Sequence, residues 1–469
     1  MTNDLSKHFE VKIIFLSCFT IFLSLLDVNI VNISYPVLSH IFGVTISGIA
    51  VVGMSFLFTL SLILPLSGQI SDLIGAKKSV LFGYFILISS AVLCALSSSV
   101  EQLAFFRAMQ GVGAAFLSIA STSILIIYIP VQRRGSAFGY LATSGALGLM
   151  LGAPIGGMLS GYFMWQSIFL ATIPASLLAM FFYYIYLPAS QEQISFKEVL
   201  KSLDFRGFLL VSVGLGSYIY AMELFIKGGG ELFFNIFLVV CGFSFIFVFA
   251  RYEMGIKNPL IDFKVFKNHK FSFILIANVF TIMVLSVNNF TMPFYLMQVL
   301  KLSPQYTGMM MLIFSFSYGF FSLFSGRFSD KINPYILCLF GMVLAVVSVS
   351  FFLYMIDVSS LYLSIAFLSA YGLSFALFIP PANSLALSVA SKANAGSTTA
   401  IFRTTRQIAS LMGIVSVGLL TNSASGKMVV SDFKNVFGIE ILMSIVSMLL
   451  IIYLILKRQK DEKELCTKS

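Results

Sequence analysis

The chain has 469 residues, of which 58% are hydrophobic and only 10% charged, and it carries a formal net charge of +10. Soluble domains have about 25% charged residues, so a soluble protein is excluded. A nucleic-acid reading needs a basic face with interleaved aromatics on a soluble domain, and the sequence has none.

Fourteen apolar runs follow in order, at 13–35, 46–67, 79–98, 102–128, 136–160, 164–187, 206–225, 232–251, 271–295, 306–326, 334–355, 360–384, 397–421 and 436–456. Each is about the 20 residues needed to cross a bilayer. A crossing segment must satisfy its own backbone, so these are expected to be helices; the alternation of an outer-membrane barrel is missing. The first run is too long for a signal-peptide core and contains Asp27, so it is read as a retained span. With the N-terminus inside, 22 of the 29 basic residues fall in cytoplasmic segments, four in outer loops and three within spans. That asymmetry predicts an even number of spans with both termini cytoplasmic. Cys18, Cys94, Cys241, Cys338 and Cys466 have no zinc or redox spacing, and His8, His40 and His269 are scattered. Neither metal nor cofactor is expected.

Between the second and third runs lies Ser67-Gly68-Gln69-Ile70-Ser71-Asp72-Leu73-Ile74-Gly75-Ala76-Lys77-Lys78. It returns, weakened, as Ser325-Gly326-Arg327-Phe328-Ser329-Asp330-Lys331-Ile332, with five of eight aligned positions identical. Gly68 and Asp72 share a helix face; Gly68 is expected to admit a close helix and Gly75 a tight turn. Both copies fall on the cytoplasmic side. Six spans precede residue 190, six follow residue 270 and two lie between, so the expected divisions are 1–189, 190–270 and 271–469. Two similar bundles flanking a midplane site are a known transporter design.

Asp27 lies deep in the first span, where a carboxylate marks a functional pathway by default; Asn29 and Asn32 are read as its polar neighbours. Arg107, always charged, is the one basic residue deep in the first half, with Gln110 one turn on. Their alternative role is purely structural, holding helices together. Gly145, Gly148, Gly152 and Gly156, followed by Gly157, make a flat stripe on one helix face, and Pro154 bends that helix. Glu223 and Glu440 are read as reaching the membrane interface, so no second deep acid is expected.

The Gly68–Lys78 stretch resembles the loop motif of the major facilitator superfamily. Leu26-Asp27-Val28-Asn29-Ile30-Val31-Asn32-Ile33-Ser34-Tyr35-Pro36 is similar to the first-span signature of its fourteen-span drug/proton antiporter branch, with Asn29 where Thr is usual. Arg107-Ala108-Met109-Gln110-Gly111 resembles the fourth-span motif, and the 145–157 stripe the antiporter motif, with Gly-Ala-Pro replacing the commoner Gly-Gly-Pro or Gly-Pro. Asp204-Phe205-Arg206-Gly207 and the run from Asn258 to Phe266 resemble the same branch on either side of the inserted pair. Arg403, Arg406 and Gln407 resemble the family's Arg-Gln pair and are placed near the second latch.

The resemblance implies an all-α integral membrane protein with the major facilitator fold: two six-helix bundles and an inserted two-helix hairpin, fourteen transmembrane helices in all. It implies a monomeric, proton-coupled multidrug efflux antiporter of the plasma membrane whose partners are a small-molecule substrate, protons and the lipid bilayer. In that reading Asp27, Asn29, Asn32, Arg107 and Gln110 serve proton coupling or substrate. Gly68, Asp72, Gly75, Lys77, Lys78, Gly326, Asp330, Arg403 and Gln407 form the cytoplasmic gate. The rivals are a proton-coupled importer or metabolite exporter of the same fold, and a receptor that transports nothing. No Walker motif or catalytic set speaks for an enzyme.

Overall fold

The computed structural model describes residues 2–188, 204–226, 232–256, 266, 268–328, 332–388, 395–421 and 428–468. Fifteen α-helices are described: α1 (Thr2–Phe42), α2 (Ile46–Ile74), α3 (Ala76–Ala95), α4 (Val100–Tyr128), α5 (Val131–Tyr162), α6 (Ser167–Leu170), α7 (Ile173–Tyr186), α8 (Phe205–Ile226), α9 (Leu232–Glu253), α10 (His269–Phe294), α11 (Pro304–Phe328), α12 (Pro334–Met355), α13 (Leu361–Ser388), α14 (Ala395–Leu420) and α15 (Val430–Lys468). Their starts carry chemical signals. Thr45 accepts from the Gly48 amide at 3.1 Å and Ser99 from the Gln102 amide at 3.3 Å. Such side-chain caps satisfy amides that have no partner inside the helix.

Among the described residues, twelve helical segments are long and apolar enough to cross a membrane. This is a multi-pass membrane protein. The two expected spans not among the twelve are also helical. Along α8 the apolar segment counted is Phe205–Ala221, and α14 is lowered in hydropathy by Arg403, Arg406 and Gln407. The expected sixth span is α6 and α7, broken at Ala171 and Thr172, with Pro174 in the first turn of α7 removing a backbone donor. Large exposed side chains such as Phe233, Phe237, Phe243 and Phe247 on α9 suit lipid contact.

The described chain divides into two compact units: Met1–Leu260 with Ser303–Met309, and Ile261–Leu302 with Met310–Ser469. In the first, α1 packs on α5, α2 on α4 and α3 on α4. Glycine sets each approach. A Cβ on Gly148 would strike the Phe22 carbonyl; one on Gly152 would lie 2.8 Å from the Leu26 carbonyl oxygen, and one on Gly156 2.7 Å from that of Ile30. The same device seats Gly111 of α4 on α2, at Phe56, and Gly113 on α3, at Gly83. Inside the second unit the pairs recur: Gly341 of α12 meets α13 at Ser374, Gly372 of α13 meets α11 at Phe314, and Gly413 of α14 meets α10 at Met283. Apolar burial gives no drive toward association in lipid, so close backbone packing of this kind must supply it. Gly68 departs from expectation, because a Cβ there would meet nothing within 4 Å.

Thermal unfolding in detergent separates these glycines. Gly148→Val is expected to lower the midpoint, since overpacking costs about 1–3 kcal/mol. Gly68→Ala leaves the midpoint unchanged or raises it, alanine being favoured over glycine inside a helix by about 1 kcal/mol.

Candidate functional site

Asp27 of α1 is 3% exposed and Arg107 of α4 is 1% exposed. The Arg107 guanidinium donates to Asp27 Oδ2 at 3.3 Å and to Gln110 Oε1 at 2.6 Å. Gln110, one turn further along α4, donates to Asp27 Oδ1 at 3.3 Å, and the Thr172 hydroxyl donates to the same oxygen at 3.4 Å. Phe56 of α2 lies under the guanidinium, its ring centre 4.4 Å from Cζ, a cation–π contact. Three helices and the α6–α7 break thus converge on one charged pair. Its carboxylate bonds, at 3.3–3.4 Å, are longer than the usual hydrogen-bond range.

Beside the pair is a small cavity lined by Thr20, Ser24, Asp27, Tyr84, Thr172 and Ser176. Its polar wall is ordered by Thr20, whose hydroxyl is 2.7 Å from that of Tyr84 and 3.0 Å from that of Tyr183. The rest of the wall is apolar, formed by Leu23, Leu87 and Leu117.

The expected polar neighbours do not join this cluster. Asn29 turns to the other side of α1 and donates to the Leu149 carbonyl of α5, next to the Met150 carbonyl that Pro154 deprives of its helical donor. Asn32 is half-buried and makes none of these bonds. Asp27 and Asn29 are two residues apart, about 200° around a helix, and that spacing already separates them. Gly145 packs against Leu25 and Ile21, which completes the stripe along α1; Gly157 meets the backbone of Pro304 and Gly308, residues that cluster with the first unit. Thr172 and Phe56 were not among the sequence candidates. The Thr-Ile-Pro run at 172–174 was the available signal for a helix break that turns a hydroxyl inward.

At the repeated motif, Gly75 has φ +86° and joins α2 to α3, a conformation that favours glycine. Lys77 donates to the Tyr184 carbonyl at 2.7 Å and to the Leu187 carbonyl, capping the C-terminus of α7. Lys78 is exposed. The side chain of Asp72 lies outside the described residues, as do Asp330, the side chain of Arg327 and most of the run from Asn258 to Phe266. A Cβ on Gly326 would meet nothing within 4 Å. The second copy turns differently: Asn333, opposite Gly75, has φ −52° and its side chain accepts from the Tyr335 amide at 3.1 Å ahead of Pro334. It starts a helix with a polar cap at a negative φ that any residue adopts. Arg403, Arg406 and Gln407 lie part-buried on α14.

Glu440 overturns an expectation. It does not reach an interface but is 0% exposed within the second unit, with Tyr371 donating to its Oε2 at 3.3 Å. A second buried acid is therefore present. Glu223 has its side chain outside the described residues.

Paired membrane helices with a buried ion pair between spans fit a secondary transporter. The chain belongs to the Major Facilitator Superfamily, whose family model matches residues 17–261 and 274–466. Its members are transporters, not enzymes. The chain is 28% identical over 319 residues to the riboflavin transporter RibZ of Clostridioides difficile (strain 630), covering 68% of each. It is 26% identical over 295 residues to a protein named for multidrug resistance, MdtD, of Escherichia coli (strain K12 / DH10B), covering 63% of this chain and 61% of MdtD. Among solved structures it is similar to a bacterial homologue of the human lysosomal transporter Spinster, with TM-score 0.67, 11% identity and coverage of 94% of this chain and 96% of that one. It is also similar to a D-xylose–proton symporter, with TM-score 0.67, 15% identity and coverage of 94% and 97%. At those identities the likeness is one of fold.

Removing one partner of a buried ion pair costs about 3–5 kcal/mol. Arg107→Met is expected to lower the unfolding midpoint in detergent, and adding Asp27→Asn to recover part of the loss. A double variant no more stable than Arg107→Met would contradict a direct coupling between the two charges.

Proposed function

We propose that this protein is a proton-coupled antiporter that exports drug-like apolar or cationic compounds by alternating access. The observation that carries this reading is the Asp27–Arg107–Gln110 cluster on a helix seated against the glycine stripe of α5. Protonating Asp27 removes its attraction to Arg107, which would loosen the hold of α4 and Thr172 on α1. Deprotonation restores it. A proton entering from outside and leaving inside thereby becomes a mechanical signal in the first unit, and the energy comes from the proton gradient and the membrane potential.

The proposed frame has fourteen spans, with α8 and α14 added to the twelve, both termini cytoplasmic, in the plasma membrane and as a monomer. It divides into bundles at 1–189 and 271–469 with the inserted hairpin in 190–270, as in the fourteen-span drug/proton antiporter branch. Asp72 and Asp330, with Gly68, Gly75, Lys77, Lys78, Gly326, Arg403 and Gln407, act as cytoplasmic latches; Asn29 and the glycine stripe act by fixing α5 to α1, and Asn32 is a substrate contact. The similarity to a protein named for multidrug resistance supports the substrate class. A second reading, transport of a flavin-like metabolite, is favoured by the similarity to a riboflavin transporter.

Inside-out vesicles with an imposed proton gradient test both. Wild-type vesicles are expected to accumulate a cationic dye, and Asp27→Asn vesicles at matched expression to lose at least tenfold of the gradient-driven rate, the lower end of a factor worth about 1.4 kcal/mol. Accumulation of riboflavin but of no dye would favour the metabolite reading. Unimpaired Asp27→Asn transport would remove Asp27 from coupling. Replacing Asp72 is expected to impair transport more than replacing Asp330, because the second turn lacks both the left-handed glycine and the basic pair.

A further inference from the structure

Glu440 lies ten residues into α15, about 15 Å along a helix rising 1.5 Å per residue, and six residues beyond Lys434, whose ion pair with Asp357 is exposed. Its side chain is completely buried. Oε2 accepts from the Tyr371 hydroxyl of α13, which is also 3.0 Å from the Val284 carbonyl of α10. Oε1 has no hydrogen-bond partner. Tyr371 is the titratable group that faces Glu440; α10, α12 and α14, which also pack on α15, present it with no charge among the described residues. Two more polar side chains are buried without partners nearby in sequence: Ser444, one turn along α15, and Asn288, one turn beyond Val284 on α10.

Asp27 provides the comparison. Its charge is met by Arg107, Gln110 and Thr172. Glu440 has a single neutral hydroxyl. An ionised carboxylate in apolar surroundings with no countercharge is strongly disfavoured, so such a residue in a span needs a ligand that neutralises it. In this conformation no part of the side chain is exposed for an organic cation to meet. A proton is small enough.

We propose that Glu440 is a second proton-exchanging carboxyl, in the second unit, loaded and emptied during the transport cycle, with Tyr371 as its positioning residue. The inference rests on proton-coupled antiport as the function, and it gives each unit one exchanging acid. At Asp27 a proton displaces an arginine; at Glu440 it displaces nothing. The reaction is a proton transfer to Oε1 from water admitted when the unit opens, and back again, with no other bond made or broken.

The test uses the full-length protein in liposomes with two readouts. Infrared difference spectra between acid and alkaline medium are expected to show a titrating carboxyl band in wild type and Asp27→Asn that is missing in Glu440→Gln. In Tyr371→Phe the band should remain but titrate at a different pH. Gradient-driven accumulation by Glu440→Gln is expected to fall about tenfold per pH unit of imposed gradient, because one proton fewer drives each cycle. Glu440→Asp should restore part of it. A spectrum unchanged by Glu440→Gln, or accumulation equal to wild type, overturns the proposal. Should Glu440→Gln fail to fold, an unshifted titration in Tyr371→Phe overturns it instead. Failure of the antiport reading is seen separately, as wild-type accumulation indifferent to the gradient while the Glu440 band still titrates.

Discussion

A carboxylate and a guanidinium out of water must find each other, and the geometry of the first unit follows from where Asp27 and Arg107 do so. Their contact fixes the register of α1 against α4. Gln110 and Thr172 then close the remaining valences of the carboxylate. On the opposite side of α1 the constraint is of another kind: Gly148, Gly152 and Gly156 bring the backbone of α5 against that of α1, leaving no room for a methyl group. One face of α1 is held by charge and the other by shape. Any change in the charge on Asp27 therefore acts on a helix whose other face cannot yield without losing its packing.

The second unit repeats the shape constraint and replaces the charge constraint. Gly341, Gly372 and Gly413 set the same pairs of helices at close approach. Where the first unit has an ion pair, the second has the Tyr371 hydroxyl between the Val284 carbonyl and Glu440, backed by Thr281 against Ser447 at 2.9 Å. Neutral hydrogen bonds are individually weaker than charge-assisted ones. A repeated architecture thus carries two different polar centres, and likeness of fold does not make them functionally equal.

Much of this was legible in the chain itself. Hydrophobic run length places the helices, because a bilayer imposes one length and one backbone solution. The glycine stripe was legible as a flat face, and Asp27 with Arg107 as charges too costly to leave unpaired. What the sequence did not disclose depends on rotation and depth. Asn29 looked like a neighbour of Asp27 but points to α5, because adjacent positions in sequence diverge around a helix. Glu440 looked like an interface residue because it lies near the start of its apolar run, yet its side chain turns inward to Tyr371 and is enclosed by its own unit. Thr172 had no periodic signal, since its position comes from a break in a helix and not from a face of one. Asn333 aligned with Gly75 by motif, but it has a negative φ and its side chain caps the next helix.

The basic residues of the repeated motif show why charge counting alone cannot assign a gate. Lys77 and Lys78 both contribute to the inside-positive asymmetry. Only Lys78 is left to solvent, while Lys77 stretches to the last carbonyls of α7 and stacks near Tyr184. Its charge meets the negative end of a helix dipole, and through it α3 and α7 are fastened together inside one unit. A topological signal and a structural bond therefore share one residue. Loss of transport on changing Lys77 would follow from a loosened α3–α7 contact even if no latch existed, so a change at Lys77 alone does not test the proposed latch.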